Sequence, residues 1–274
     1  MRISKNDMKA ARLASSGFIL PVLINDRPIM RYISFYNLMD IFVYKRLTLT
    51  WAIDFKDTLE GCITRTQSRK QLSKIHDLHE ERASVGESLR SFQVRKRNTY
   101  ISCWCRNPRE TNEMWERYVP DQYGVAIYSS TAILAEFVEE NERPDNLELD
   151  WAWKPIEYVE ISENFPEIDF NNMFDFKSKR EFSVEEEIRL IASDVDGFGK
   201  ETEITTSPRR EDLNEQAFQK LPRKERVSLP VDPNKLIQKI IISPRSDGKF
   251  HEDVVSLCNW NNFGNVLVQS SLSF

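Results

Sequence analysis

Residues 182–191 read FSVEEEIRLI, a stretch that begins and ends with apolar residues and carries four charged side chains between them. The apolar residues predict a strand that packs against the core. Because successive side chains point to opposite faces of a strand, one face is expected to be largely core and the other to carry Glu185, Glu187 and Arg189. Neighbours on that face are roughly 7 Å apart, so two carboxylates and a guanidinium share one surface.

Two interpretations of this polar face are consistent with its chemistry. It can be a solvated strand face on which Arg189 pairs with the glutamates, and such exposed pairs contribute about 0–1 kcal/mol each. It can also line a cleft, where a fixed carboxylate beside developing positive charge stabilises a transition state more than the ground state. In that case Arg189 helps to keep the carboxylates ionised.

The composition argues against several classes of protein. The chain has 274 residues, 40% of them hydrophobic, and its net charge of −5 is opposite to the basic footprint of a general nucleic-acid binder. No glycine-rich phosphate loop is present. The longest apolar run near the start, 17–24, is too short to span a bilayer, so no membrane association and a cytoplasmic location are expected. The cysteines and histidines lack the spacing of a zinc site, which predicts free thiols.

The order of apolar and polar segments predicts a single α+β domain over residues 1–274, with a split or strongly bent mixed sheet flanked by helices. Strands are predicted over 29–36, 46–52, 99–105, 123–130, 154–162, 182–191, 227–229, 237–243 and 266–271. Helices are predicted over 37–44, 66–97, 114–118, 131–139, 170–181 and 244–260. The segment 66–97 is the most polar of these and is expected to be a helical excursion from the core.

Several short motifs follow one another along the chain. They are Met30-Arg31-Tyr32, FKDTLE at 55–60, Cys103-Trp104-Cys105, MWERY at 114–118 with Gly124, VEEEIR at 184–189 with Lys177 upstream, SPRSD at 243–247 and SSL at 270–272. Over residues 30–272 this order resembles the bacterial family called domain of unknown function 2971. The family name implies no activity, so the chemistry has to be argued from the residues.

The pair Glu185-x-Glu187 resembles the glutamate motif of ADP-ribosyltransferases. The resemblance implies NAD as cofactor and a macromolecular acceptor, either a protein or a nucleic acid. It implies that Glu187 is catalytic, because in those enzymes the second glutamate hydrogen-bonds a ribose hydroxyl and stabilises the oxocarbenium-like transition state as nicotinamide leaves. Glu185 would orient the acceptor. A toxin or phage-defence effector of a bacterial cell is the implied setting.

The same resemblance implies the cofactor contacts. Members of the superfamily grip NAD with a His or Arg on the first strand, and Arg31 beside Tyr32 is the candidate here. Thr50 lies on the second strand, where those enzymes carry Ser-Thr-Ser. Trp115 and Tyr118, at i and i+3 on one helix face, either pack in the core or form a stacking platform for a nicotinamide ring.

Two alternative functions remain open. A non-catalytic ligand- or protein-binding sensor module of a defence system would use the same cleft without chemistry. A metal-dependent nuclease would need carboxylates that converge on Mg²⁺, for which the candidates are Asp57, Glu60, Glu185 and Glu187. Geometry tests the transferase hypothesis, which fails if Arg31 and Glu187 lie on opposite sides of the molecule.

Overall fold

The computed structural model of the chain describes residues 26–55, 92–140, 149–160, 172–194, 197 and 226–272. These residues form an α+β domain around a mixed sheet of eight strands, so the predicted fold class is confirmed. Most of the predicted excursion 66–97 lies outside the described residues, and its last part, 92–97, is helical. In the ranges described, no helix combines the length and the apolar character needed to span a membrane.

The strands and helices follow the predicted order over most of the chain. The strands are β1 (Pro28–Ser34), β2 (Arg46–Thr48), β3 (Thr50–Trp51), β4 (Thr99–Cys105), β5 (Gly124–Ser130), β6 (Leu149–Pro155), β7 (Glu157–Val159), β8 (Phe176–Ser178), β9 (Glu187–Asp194), β10 (Ser228–Pro230), β11 (Lys239–Ile242) and β12 (Val266–Gln269). The helices are α1 (Phe35–Tyr44), α2 (Asn112–Tyr118), α3 (Thr131–Glu140), α4 (Lys179–Phe182), α5 (Pro233–Leu236) and α6 (Gly248–Trp260). Two 3₁₀ turns are η1 (Ala52–Asp54) and η2 (Ser183–Glu185).

The main sheet has the strand order β12-β11-β5-β1-β4-β9-β6, and β3 also pairs with β4. Within it β11 and β12 are parallel and the other neighbours antiparallel. β1 pairs with β4 at one position, Met30 with Cys105, whereas β3 pairs Thr50 with Ile101 farther along β4. Since β9 occupies the other edge of β4, two strands share this edge and the sheet splits between them, as predicted.

Both faces of the sheet are covered. Along β1, Ile29 and Ile33 pack into the larger core together with residues of α1, α3 and α6, and we call this side the α1 face. Met30 and Tyr32 alternate with them and pack into a smaller core with α2, on the side that we call the α2 face. A second small core around Ile101 lies farther along the α2 face.

The first helix shows how sequence produces these elements. Leu38, Ile41 and Phe42 are buried and lie three and four positions apart, which places them on one side of α1. The Ser34 hydroxyl accepts a hydrogen bond from the backbone N–H of Asn37 and caps the start of the helix. Lys45 adopts a left-handed conformation with φ of 53° and ends it.

Two predicted elements around the opening stretch are wrong. The predicted helix over 170–181 is a turn at 172–174 followed by strand β8, and helix starts only at Lys179. The predicted strand over 182–191 begins at Glu187, because the residues before it form α4 and η2. Segments of ten to twelve residues hold too few repeats of the apolar pattern to separate a turn from a helix or a strand.

Candidate functional site

Two glutamates and three cations meet on the α2 face, in a cluster that we call the glutamate network. Its charged members are Glu185, Glu187, Lys177, Arg189 and Arg117, and Tyr118 and Tyr158 are hydrogen-bonded to it. They come from η2, β9, β8 and α2 and from the short strand β7. The network therefore depends on the tertiary fold and not on one local motif.

Strand β9 carries Glu187 and Arg189 into the interior. All of its residues are buried, because β4 and β6 flank the strand and both of its faces are covered. Glu187 lies opposite Cys105 and Arg189 opposite Cys103, which places both on the α2 face. The interpretation of this surface as a solvated strand face is wrong, since Glu187 is 2% exposed and Arg189 is 0% exposed.

Glu185 reaches the network by a different route from the one predicted. It does not alternate with Glu187 along a strand, because Ser183–Glu185 forms a 3₁₀ turn and Glu186 is in the left-handed region with φ of 40°. This turn points the Glu186 side chain to solvent and leaves Glu185 buried. The two outer glutamates therefore converge, as predicted, although the backbone between them is a tight turn.

Glu187 makes two ion pairs. Its Oε1 accepts from Arg189 Nε at 2.7 Å, and its Oε2 lies 2.6 Å from Lys177 Nζ and 3.3 Å from Arg189 Nη2. Arg189 is held in turn by a hydrogen bond from Nη1 to the Phe174 carbonyl oxygen at 2.9 Å. The Glu187 backbone N–H donates to the Tyr158 hydroxyl at 2.7 Å. Both carboxylate oxygens of Glu187 thus have cationic partners.

Glu185 is paired just as fully. Its Oε2 accepts from Lys177 Nζ at 2.7 Å, so this ammonium bridges the two glutamates. Its Oε1 accepts from Arg117 Nη1 at 3.0 Å and from the Tyr118 hydroxyl at 2.5 Å. Arg117 and Tyr118 lie near the end of α2, and Arg117 also donates to the Glu181 carbonyl oxygen at 2.9 Å. Glu185 therefore connects α2 to β8.

The network's electrostatics favour its ionised form. Burial raises the pKa of the Glu187 carboxyl, but the charges of Arg189 and Lys177 outweigh burial and lower that pKa to about 2. Burial of its hydroxyl, followed by the charge of Glu185, raises the pKa of Tyr118. The Tyr118 ring is 40% exposed while its hydroxyl points inward to Glu185, so the charged groups lie beneath a partly exposed aromatic lid.

The predicted aromatic residues lie beside the network. The Tyr32 ring stacks with Tyr118 at a centroid distance of 6.3 Å and meets Trp115 edge-on at 4.8 Å. Trp115 is fully buried, and its indole N–H donates to Glu110 Oε2 at 3.1 Å. The two predictions for this helix face were core packing and a stacking platform. Trp115 packs in the core, and of the two residues only Tyr118 is exposed to solvent.

The structure separates the other two predicted cofactor residues from this group. Arg31 lies on the α1 face, where its Nη1 donates to Ser102 Oγ at 2.8 Å and its guanidinium lies over the Trp104 ring. Burial lowers the pKa of Arg31, and the charges of Cys103 and Glu187 oppose that shift across the sheet. Arg31 alternates along β1 with Met30 and Tyr32, which lie on the α2 face, and the register Met30–Cys105–Glu187 places Glu187 on that same face. Arg31 and Glu187 are therefore on opposite faces of the sheet.

Thr50 lies on the same face as Glu187, since it pairs with Ile101. Its side chain is exposed, and none of the hydrogen bonds found among the described residues joins it to the network. Among the described residues no group of three or more His, Cys, Asp or Glu side chains is arranged to hold a metal ion. Asp57 and Glu60 of the nuclease hypothesis lie outside the described residues. Cys103, Cys105 and Cys258 are thiols.

Comparison with known proteins adds no relative: no family model matches the chain, and no curated protein or solved structure is similar to it. The resemblance to domain of unknown function 2971 and to ADP-ribosyltransferases therefore stays a prediction from short motifs.

Sequence reasoning missed two members of the network. Arg117 stands between Trp115 and Tyr118 in MWERY, and its position one residue before a candidate tyrosine was the available signal. Tyr158 carries no comparable signal, because its role depends on the crossing of β7 near the start of β9. Lys177 belongs to the motif that includes VEEEIR, and in the structure it bridges the two glutamates.

Proposed function

We propose that this chain is a non-catalytic ligand- or protein-binding module. The observation that carries the proposal is the closure of the glutamate network, in which both oxygens of Glu185 and both of Glu187 accept from cations or a tyrosine. A catalytic carboxylate has to touch its substrate. Each of these is nearly inaccessible and already has its partners.

The charge balance supports the same conclusion. A glutamate that stabilises an oxocarbenium-like transition state acts as an uncompensated anion at the reacting centre. Here Lys177 and Arg189 lie within hydrogen-bonding distance of Glu187 and cancel most of its field. The separation of Arg31 from Glu187 by the sheet removes the residue that was to hold the cofactor beside it.

One observation favours a second candidate, an ADP-ribosyltransferase-like enzyme that uses NAD and modifies a protein or nucleic acid. Tyr32, Tyr118, Glu185 and Glu187 converge on one face, as the resemblance requires. Arg31 lies across the sheet from Glu187, so in this candidate a residue other than Arg31 would have to hold the cofactor. In this alternative Lys177 would have to leave Glu187 so that a ribose hydroxyl could replace it. The tyrosine pair would then supply the aromatic surface for the nicotinamide ring.

Nicotinamide release separates the two candidates. The purified chain is incubated with NAD and with cell lysate as a source of acceptors, and released nicotinamide is measured. The binding proposal expects no release of nicotinamide. Release by the wild type that disappears in Glu187→Gln and persists in Glu186→Gln would establish the enzyme and overturn the proposal.

A further inference from the structure

An open cleft of about 430 Å³ lies at the end of the sheet where β1 ends and β5 and α6 begin. Its walls carry four aromatic rings and three carboxylates, which belong to Phe35, Tyr36, Tyr123 and Phe250 and to Asp121, Asp247 and Asp253. This volume falls in the range of roughly 300–1,000 Å³ that ligand pockets occupy. We call this region the acidic cleft.

The acidic cleft is built on a rigid support. The Phe35 backbone N–H donates to the Tyr123 carbonyl oxygen at 3.1 Å, and the Phe250 ring meets Phe35 and Tyr123 edge-on at 5.4 and 5.5 Å. Gly124 allows β1 and β5 to approach there, because an added Cβ would lie 2.5 Å from the Ile33 carbonyl oxygen. The walls are therefore fixed by the sheet and do not need a ligand to form.

The two tyrosines of the acidic cleft are exposed to an unusual degree for their size. Tyr36 is 81% exposed and Tyr123 is 49% exposed, and the Tyr123 ring is held edge-on against Phe250. Exposed tyrosines that are held rigidly lose little conformational entropy on binding, which is why they are common in recognition surfaces. A cation placed over such a ring gains about 0.5–1 kcal/mol, or roughly two- to five-fold in affinity.

The charges of the acidic cleft are unbalanced. Asp121 and Asp247 accept hydrogen bonds from the backbone N–H groups of Tyr123 and Phe250, which orient their carboxylates. Lys249 is the cation among the lining residues, against three carboxylates. In the part of the chain that the structure describes, no salt bridge neutralises these carboxylates, in contrast to those of the glutamate network.

We propose that the acidic cleft binds a basic side chain, an arginine or lysine carried by an exposed segment of a partner protein. Charge complementarity and the adjacent tyrosine rings select a cation, and the size of the cleft suits one or two side chains of a peptide and not a folded surface. The inference rests on the proposed binding function and names the partner chemistry.

The test uses the full chain and a fluorescent peptide of alternating arginine and glycine, with a second peptide in which citrulline replaces arginine. Citrulline keeps the shape of arginine and loses its charge. Fluorescence anisotropy should show binding of the arginine peptide that weakens at high ionic strength, because surface charge attraction is screened by salt. The citrulline peptide should bind at least about ten-fold more weakly.

Two matched pairs of variants locate the site. Asp253→Asn removes a cleft carboxylate, and Glu252→Gln removes an exposed carboxylate from the adjacent position of α6. Tyr36→Ala removes a cleft ring, and Tyr44→Ala removes an exposed ring from the other end of α1. The first member of each pair should lower peptide affinity about three- to five-fold, and the second should leave it unchanged.

Three outcomes would overturn the inference. One is equal binding of the arginine and citrulline peptides, another is equal loss in both members of a pair of variants, and the third is peptide binding that does not change with ionic strength. The experiments also distinguish failure of this inference from failure of the proposed function. If no peptide binds and no nicotinamide is released, only the cleft assignment fails, whereas Glu187-dependent release removes the binding function itself.

Discussion

The glutamate network and the acidic cleft are built from the same kinds of side chain in opposite balance. In the network, Glu185 and Glu187 share three cations and are almost fully buried. In the acidic cleft, three carboxylates face solvent beside a single lysine. A buried carboxylate must be neutralised inside the chain because desolvation is costly, whereas an exposed one is stabilised by water. Uncompensated charge is thus found where a partner can reach it.

The largest expected effect comes from breaking the network. Glu187→Ala leaves Lys177 and Arg189 buried with fewer partners, and such a loss costs about 3–5 kcal/mol of unfolding free energy. Denaturant titration measures it. Glu186→Ala is the matched control, since Glu186 is the exposed neighbour and its loss should change stability by about 0.5 kcal/mol or less. Equal effects of the two variants would show that the ion pairs of Glu187 contribute no net stability.

Acid should weaken the same network by a somewhat smaller amount. The pKa of Glu187 is about 2 in the folded chain and 4.5 in the ordinary case. A carboxyl whose folded pKa is depressed contributes its stability fully above the unfolded pKa and loses it as pH falls through the folded value. The contribution, on the order of 3 kcal/mol, should be complete above about pH 5 and disappear towards pH 2.

This effect is measured as the difference in unfolding free energy between the wild type and Glu187→Ala at several pH values. The difference should be constant near neutral pH and shrink on acidification. Because both proteins carry the same other carboxylates, their common acid sensitivity cancels. A difference that does not change between pH 5 and pH 3 would show that Glu187 is not held by its cations.

The two regions also differ in how far the sequence predicts them. Strands β4 and β5 could be predicted from their apolar runs. The convergence of Glu185 with Glu187 was expected from alternation along a strand, but it arises instead from the 3₁₀ turn that precedes β9. The burial of these glutamates could not be predicted, since it depends on Arg117 from α2, on Lys177 from β8 and on strands that cover β9 on both sides.

The placement of Arg31 is a similar case. Alternation along β1 predicts that Arg31 lies on the side opposite to Met30 and Tyr32. Which of these sides holds Glu187 is decided by the register Met30–Cys105–Glu187 through β4, a non-local pairing that the chain's periodicity does not contain. The acidic cleft was missed because its aspartates and tyrosines come from three separate segments with no motif in common.

The smallest expected effects distinguish two tyrosines that both present rings to solvent. Tyr118→Phe removes the hydroxyl that donates to the buried Glu185, and a hydrogen bond to a charged group is worth about 1.5–3 kcal/mol. Part of that loss is recovered because Arg117 and Lys177 still hold the carboxylate, so about 1 kcal/mol is expected. Tyr36→Phe should change unfolding free energy by about 0.5 kcal/mol or less, since that residue is 81% exposed.

Denaturant titration of both variants, at equal ionic strength, measures this contrast. If Tyr36→Phe destabilises the chain as much as Tyr118→Phe, the Tyr36 hydroxyl makes a stabilising contact within the folded chain. The acidic cleft is then not an open surface. If neither variant has an effect, the lid over the glutamate network is unimportant and the cations alone stabilise Glu185. The expected result, a loss at Tyr118 and none at Tyr36, assigns one tyrosine to the interior's charge balance and leaves the other available to a partner.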